Sequence, residues 1–201
     1  MTAMPTKLDA DDITARARRV GCRVLASSRF DDGSQTWPIL ELECGDNEHA
    51  IRFLNEATEH DAGALDVREL ALKLRAVHGG DVPAFLQTVH RFVKASVRFV
   101  RESREIFQHT LYTLRHRAGD CDDHARAVAA LVLSGGEKAR VVGVPNARGQ
   151  IAHVAPQVFD GQRWYWAETT VDARFGEHPR DAARRLGVLG KRTDIGAWSK
   201  G

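Results

Sequence analysis

The sequence predicts an α+β domain with an N-terminal β extension, and three observations predict it. Short β-like runs fill about residues 22–54, apolar stripes of helical period fill the middle, and a hairpin signal follows the last stripe. Residues 1–19 are polar and charged and read as a loose arm or a short helix. CRVLASSRF, WPILELEC and HAIRFL read as the strands of a β-meander, separated by DDGS and GDNE, which carry turn chemistry. Leu40, Leu42 and Cys44 alternate with Glu41 and Glu43, the period of a half-buried strand. EATEHDAGA reads as a polar connector, so the chain divides into an arm and meander over residues 1–65 and a second unit over residues 66–201.

From there the pattern is helical. Val67, Leu70, Ala71, Leu74 and Val77 share one face, with Asp66 placed as N-cap. A second helix opens at Asp81 with Pro83 in its first turn and a stripe from Phe85 through Val89 and Val93 to Val97. Residues 98–118 are less regular and read as loop with a short helical turn. A third helix begins at or just after Asp120, carries Ala125, Val128, Ala129 and Val132, and stops at Ser134-Gly135-Gly136. Three strands follow, ARVVGV, IAHVAPQVF and RWYWAETT, the last two joined at Asp160-Gly161. A final helix starts near Pro179 and runs to Leu189.

The chain has 201 residues, 43% hydrophobic and 28% charged, which excludes collagen-like, mucin-like and wholly disordered classes. A core of this size needs no disulfide or metal to hold it. No run approaches the roughly 18 apolar residues of a membrane span, and MTAMPTKLDADD lacks the basic start and apolar core of a secretory signal. Neither a membrane nor export is expected. Cys22, Cys44 and Cys121 are odd in number and form no C-x-x-C, which predicts no disulfide framework, no zinc knuckle and a reducing, cytoplasmic compartment. Residues 1–66 hold 7 Lys and Arg against 13 Asp and Glu, and the remainder 22 against 14. The basic part carries no aromatic-interleaved cluster and no nucleic-acid module, so nucleic acid is not an expected partner.

Cys121 lies in AGDCDDHARAVAALVL, where a loop becomes an apolar-striped helix. A helix N-terminus favours a thiolate, the nucleophilic form, although Asp120, Asp122 and Asp123 would oppose it. The alternative is a buried cysteine behind a capping aspartate. His153 follows in a strand, which fixes an imidazole well enough for it to serve as a base; it also reads as an ordinary half-buried histidine. With the turn at Gly161, His153 faces about Thr169, next to Glu168, and a carboxylate there could orient the ring. Glu168 otherwise reads as a strand-end acid facing solvent. Asp120, Asp122, Asp123 and His124 lack the glycine and distal glutamate of a calcium loop and read as capping acids. Gly135-Gly136-Glu137-Lys138 has the wrong spacing, and the wrong side of a helix, for a phosphate loop. Trp164 and Trp166 share a strand face and read as core, or as walls of a substrate site.

GDCDDHA at a helix head, then a strand with His-Val, then DGQRWYWAETT, resembles the transglutaminase-like, papain-related superfamily over about residues 66–179. The Phe-Gly-Glu-His-Pro stretch resembles bacterial and phage-borne versions, which implies a phage or assembly partner and a virion-associated location if the chain is phage-borne. The resemblance implies a Cys-bearing helix packed on an antiparallel sheet, with Cys121 as nucleophile, His153 as base and Glu168 as orienting acid. It implies a thioester acyl-enzyme formed from a protein or peptide substrate, released by amine, water or another acceptor, without metal or other cofactor. The oxyanion would be held by the Cys121 N–H and a second donor, for which Gln108 is the candidate. The chain departs from the family in having Glu168 where aspartate is usual. It also carries Pro156, which cannot donate to a ladder and predicts an edge or bulged strand near the site. A cysteine peptidase or amidase is the leading expectation and a non-catalytic scaffold the alternative, with Asp172 the next acid to consider should Glu168 play no part.

Overall fold

Helix α1 (Ala10–Arg19) sets Asp11 and Asp12 at its positive end and Arg16, Arg18 and Arg19 at its negative end, and buries Ile13 and Ala17 one turn apart. The computed structural model describes residues 10–31, 36–101 and 106–188, so residues 1–9 of the expected arm and most of the DDGS turn lie outside the described residues. Strands β1 (Cys22–Asp31) and β2 (Thr36–Cys44) pair antiparallel with Cys22 directly opposite Cys44, and the two form a disulfide. This overturns the expectation of reduced cysteines. An odd count says nothing about two cysteines at the matched ends of one hairpin, and the ground for a cytoplasmic location goes with it.

The expected meander is also corrected. HAIRFL belongs to α2 (Asn47–Ala62), capped by Asp46, whose side chain accepts from the His49 N–H at 2.9 Å. Phe53, Leu54, Ala57, Thr58 and Asp61 are buried on one helical face that runs straight through the supposed polar connector. The third strand of the sheet is instead Ile106–Gln108 (β4), paired antiparallel with β2 through Leu40 and Phe107.

Helix α3 (Leu65–Ala76) starts after a tight link, with Ala64 at the cap position and no side-chain cap. Asp66 lies in its first turn, 3.6 Å from Arg115, and Val77 is 74% exposed beyond its end rather than on the apolar face. Helix α4 (Val82–Ser96) has the expected cap, Asp81 accepting from the Ala84 N–H at 3.0 Å, with Phe85, Leu86, Val89 and Val93 buried. Residues 98–118 are more ordered than expected. Strand β3 (Arg98–Phe99) pairs parallel with β5 (Ala118–Gly119), and α5 (Thr110–His116) lies between β4 and β5.

Helix α6 (Cys121–Ser134) is buried at every residue from Asp122 to Val132. Phe85, Val89 and Val67 pack on one side of it, and Phe53, Leu40 and Phe107 on another. A side chain at Gly135 would run into the Phe85 ring, so the turn after α6 needs glycine. Strands β6 (Lys138–Pro145), β7 (Ile151–Phe159) and β8 (Trp164–Trp166) then form an antiparallel sheet with β7 in the middle.

Pro156 therefore does not mark an edge. Its carbonyl accepts the Ala167 N–H at 3.0 Å, and its missing N–H falls where pairing with β8 ends, after Gln157 and Trp166. The opposite residue, Val141, has its N–H and C=O both taken by the Asn55 side chain at 2.9 Å, which closes the outer edge of β6 with α2. A bulge does occur near His153, opposite Val144 and Pro145. Helix α7 (Pro179–Arg185) lays Ala183 against Val144 and Ala155, stops short of the expected end, and Leu189 lies outside the described residues. Among the described residues no helix is long and apolar enough to cross a membrane.

Candidate active site

The head of α6 explains its own sequence. Asp120 caps the helix, its Oδ1 accepting from the Asp122 N–H at 3.2 Å, and Asp123 Oδ2 accepts from the Asp120 N–H at 3.2 Å. A Cβ on Gly119 would lie 2.6 Å from the Asp123 Cβ, so only glycine admits this reciprocal cap. Cys121 follows as the first helical residue, half-buried and outside any disulfide, unlike the other two cysteines. Asp122 is 3% exposed, and its burial, reinforced by the charges of Asp120 and Asp123, pushes its carboxyl well above the usual range. Burial thus disfavours the charge on one of the three acids expected to oppose a thiolate.

The short return after Ser134 lays β6 back along α6. The 14-residue helix is about 21 Å long, and Lys138 to Val144 covers about the same distance. His153 is the cross-strand partner of Val144. Its Nε2 lies 2.5 Å from Glu168 Oε2, with both side chains buried. The hairpin register is one residue from that read off Gly161, and Glu168 lies past the end of β8, where the chain is released from the ladder.

Glu168 is fully committed. Oε1 accepts from the Thr170 N–H at 2.6 Å and the Thr170 hydroxyl at 2.7 Å, while its backbone carbonyl accepts from His90 Nε2 at 2.8 Å. Burial pushes its carboxyl up, but the neighbouring His153 and the hydrogen bonds from His153 and Thr170 outweigh that and hold it at about 2. Glu168 is therefore an anion throughout the neutral range.

Sequence reasoning missed two histidines that fix this loop. His90 comes from α4, and His124, three residues after Cys121 on α6, has its Nδ1 3.0 Å from the Thr169 hydroxyl. Burial holds His124 down at about 4 against the charges of Glu168 and Asp120, so it is neutral, and the Thr169 hydroxyl donates to Nδ1. His153 also acts electrostatically on His124, which ties the His–Glu pair to the Cys121 end of α6. The available signal was position: both histidines fall on apolar stripes, His90 four residues after Leu86 and His124 four before Val128.

Buried neutral histidines carry a pH consequence. His109 and His124 are both held near 4, below the usual 6.5, so the unfolded chain binds the extra protons. Their stabilisation is complete above pH 6.5 and is lost as pH falls towards 4, on the order of 3 kcal/mol for each. The melting temperature should fall across that window, and His124→Gln should flatten the fall; equal slopes for parent and variant would remove His124 from the account.

The remaining candidates separate. Gln108 is buried on β4, and its backbone N–H donates to Asp123 Oδ1 at 3.2 Å, which places it beside the helix head rather than in an exposed loop. Trp164 pairs with Phe159, six residues along β7 from His153 and roughly 20 Å away, and lies under the Arg140 guanidinium. It does not wall the site. Trp166 packs with Val144, Ala155 and Ala183 and against the His178 ring, as core between sheet and α7. Asp172 is an exposed partner of Lys94 at 2.6 Å.

Among the described residues, Asp120, Cys121 and Asp122 bring potential metal ligands together, as do His60, Asp61 and His109. The first group is the capping turn, where Asp120 is engaged by the Asp122 N–H and burial disfavours the Asp122 charge. In the second, Arg126 Nη2 lies 2.8 Å from Asp61 Oδ1, placing a cation against the carboxylate a metal would need.

No curated protein matches the chain. Among solved structures it is similar to a candidate protease from Parabacteroides distasonis, with 10% identity and a TM-score of 0.49 over 72% of this chain and 30% of that one. A candidate cysteine protease from Cytophaga hutchinsonii gives 14% and 0.47 over 75% of this chain and 66% of its own. A TGase gives 14% and 0.36 over 92% and 55%. The chain thus spans less than a third of the first and under two thirds of the others. The family model of the transglutaminase-like superfamily matches residues 69–169, which run from α3 through the Cys121 helix and the His153 strand to the loop that holds Glu168. With half of its length matched, this chain belongs to the transglutaminase-like superfamily.

Proposed function

We propose that the protein is a thiol acyl-transfer enzyme acting on amide or peptide bonds, as a cysteine peptidase or amidase. The observation that supports this reading is the buried His153–Glu168 pair, in a chain whose Cys121 heads α6 outside any disulfide. With Nε2 engaged by the carboxylate, Nδ1 is the ring atom that exchanges a proton with the Cys121 thiol. The thiolate attacks the substrate carbonyl and forms a C–S bond. The C–N bond then breaks, and the amine leaves with the proton that His153 took from sulfur. Water, deprotonated by His153, cleaves the thioester, and the proton returns to Cys121. The Cys121 N–H, at the position in a helix that has no intrahelical acceptor, and the Gln108 side chain are the proposed oxyanion donors.

The test is labelling without reductant. Since Cys22 and Cys44 are joined, iodoacetamide should add once, at Cys121, and at a rate already high well below the pH of about 8.5 at which an ordinary thiol ionises. Peptide mass spectrometry after incubation with a p-nitrophenyl ester should find the acyl group on Cys121. Alkylation only near pH 8.5 or above, with no acyl adduct, would favour a scaffold that keeps the fold.

A further inference from the structure

On the far side of the loop that holds Glu168 there is an open cavity of about 380 Å³, between α4 and the segment leading to α7. Arg91, Lys94, Arg174 and Arg185 line it, against the single carboxylate of Asp172. Two of the cations are fixed as walls. Lys94 Nζ is held by Asp172 Oδ1 at 2.6 Å and the Ala173 carbonyl at 2.8 Å. Arg185 grips the Glu177 carboxylate with both Nε and Nη2 at 2.8 Å and also donates to the Asp172 carbonyl at 2.7 Å. The other two are not committed. Arg91 donates only to the Thr88 hydroxyl at 3.1 Å, and neither Arg91 nor Arg174 makes an ion pair among the described residues. His90 forms part of the same wall, with its Nε2 already given to the Glu168 carbonyl.

Asp172 and Glu177 balance Lys94 and Arg185, which leaves Arg91 and Arg174 as the positive charge at the concavity that a bound anion would offset. The two uncommitted guanidiniums offer the forked donors that match phosphate and carboxylate oxygens, on a frame that Lys94 and Arg185 keep rigid. We propose that this cavity is a binding site for a small multivalent oxyanion, phosphoryl or carboxylate, separate from the Cys121 centre. The proposal does not depend on the enzyme reading, because its readout is binding.

The probe is inorganic pyrophosphate, titrated into the full chain by calorimetry at constant ionic strength. One equivalent should bind, and Arg91→Gln/Arg174→Gln, which alters two exposed side chains, should weaken it about tenfold or more while leaving the melting temperature unchanged. Arg148→Gln, on the exposed turn before β7, should bind as the parent does. Citrate should displace pyrophosphate if the site takes carboxylates; failure to displace restricts it to phosphoryl groups. No binding at about 10 mM, or an equal loss from Arg148→Gln, would overturn the site.

Discussion

Glu168→Gln is expected to leave the protein folded and to lower acyl-transfer activity by roughly 10³–10⁴. The substitution keeps the shape, and the remaining amide oxygen can still accept from the Thr170 N–H and hydroxyl. What changes is the edge that meets His153. An anion at 2.5 Å from Nε2 becomes an amide that can present a donor there, favouring the wrong tautomer and leaving an imidazolium unbalanced. Glu168→Asp restores the residue usual in the family but shortens the arm by one methylene. Because the loop is pinned separately by His90 and His124, the backbone will not follow, and only partial activity is expected. Cys121→Ala sets the floor, and Glu168→Gln on top of it should cost nothing more, since residues acting as one unit are not additive. Initial rates on a p-nitrophenyl ester or a peptide amide compare the parent with these four variants. Because Glu168 stays ionised down to about 2, the acid limb of the rate profile must belong to another group. Parent-like activity in Glu168→Gln would remove it from the mechanism.

The His153–Glu168 pair was more legible than the scaffold, for a physical reason. A helix cap, a strand period and a turn that sets register single out Cys121, His153 and Glu168, while each keeps an ordinary structural reading and the roles come from the family resemblance. What failed needed long-range information. HAIRFL, read only to Leu54, fits a strand, while the helix shows its period only when read on to Asp61. The disulfide depends on a register that passes through a bulge between Val24 and Ala26 before setting Cys22 opposite Cys44, which a count of cysteines does not carry. Pro156 predicts an edge or a bulge; the bulge lies nearby, between Ile151 and His153, while Pro156 itself ends one ladder of a central strand. His90 and His124 look like core positions because they are core positions; their hydrogen bonds to residues 168 and 169 exist only after the helices and the sheet have met.

Asp61 is the clearest case of a residue that changes meaning with context, and removing it should be the most damaging single change to stability. It reads as one acid in a polar connector, yet it is fully buried on α2, and its Oδ1 accepts from Arg126 Nη2 of α6 at 2.8 Å. Oδ2 accepts from the Thr110 N–H at 2.8 Å, and His109 Nε2 lies 3.1 Å from Oδ1. Burial pushes this carboxyl up, but the charge of Arg126 and the hydrogen bonds outweigh it, so its pKa lies far below the usual carboxylate range. Asp61→Asn leaves Arg126, 2% exposed, as a buried cation without its counter-charge, which costs about 3–5 kcal/mol. Arg126→Met strands the carboxylate and should cost a similar amount. The two together, as Asp61→Asn/Arg126→Met, remove both charges, so the double variant should be more stable than the sum of the single losses implies, by about 2 kcal/mol or more. Urea unfolding of the four proteins measures the cycle. Single losses below about 1 kcal/mol would show that water reaches the pair and screens it. Losses of the expected size would mean that α2, which precedes the family-matched residues 69–169, is locked by charge to the helix that begins with Cys121.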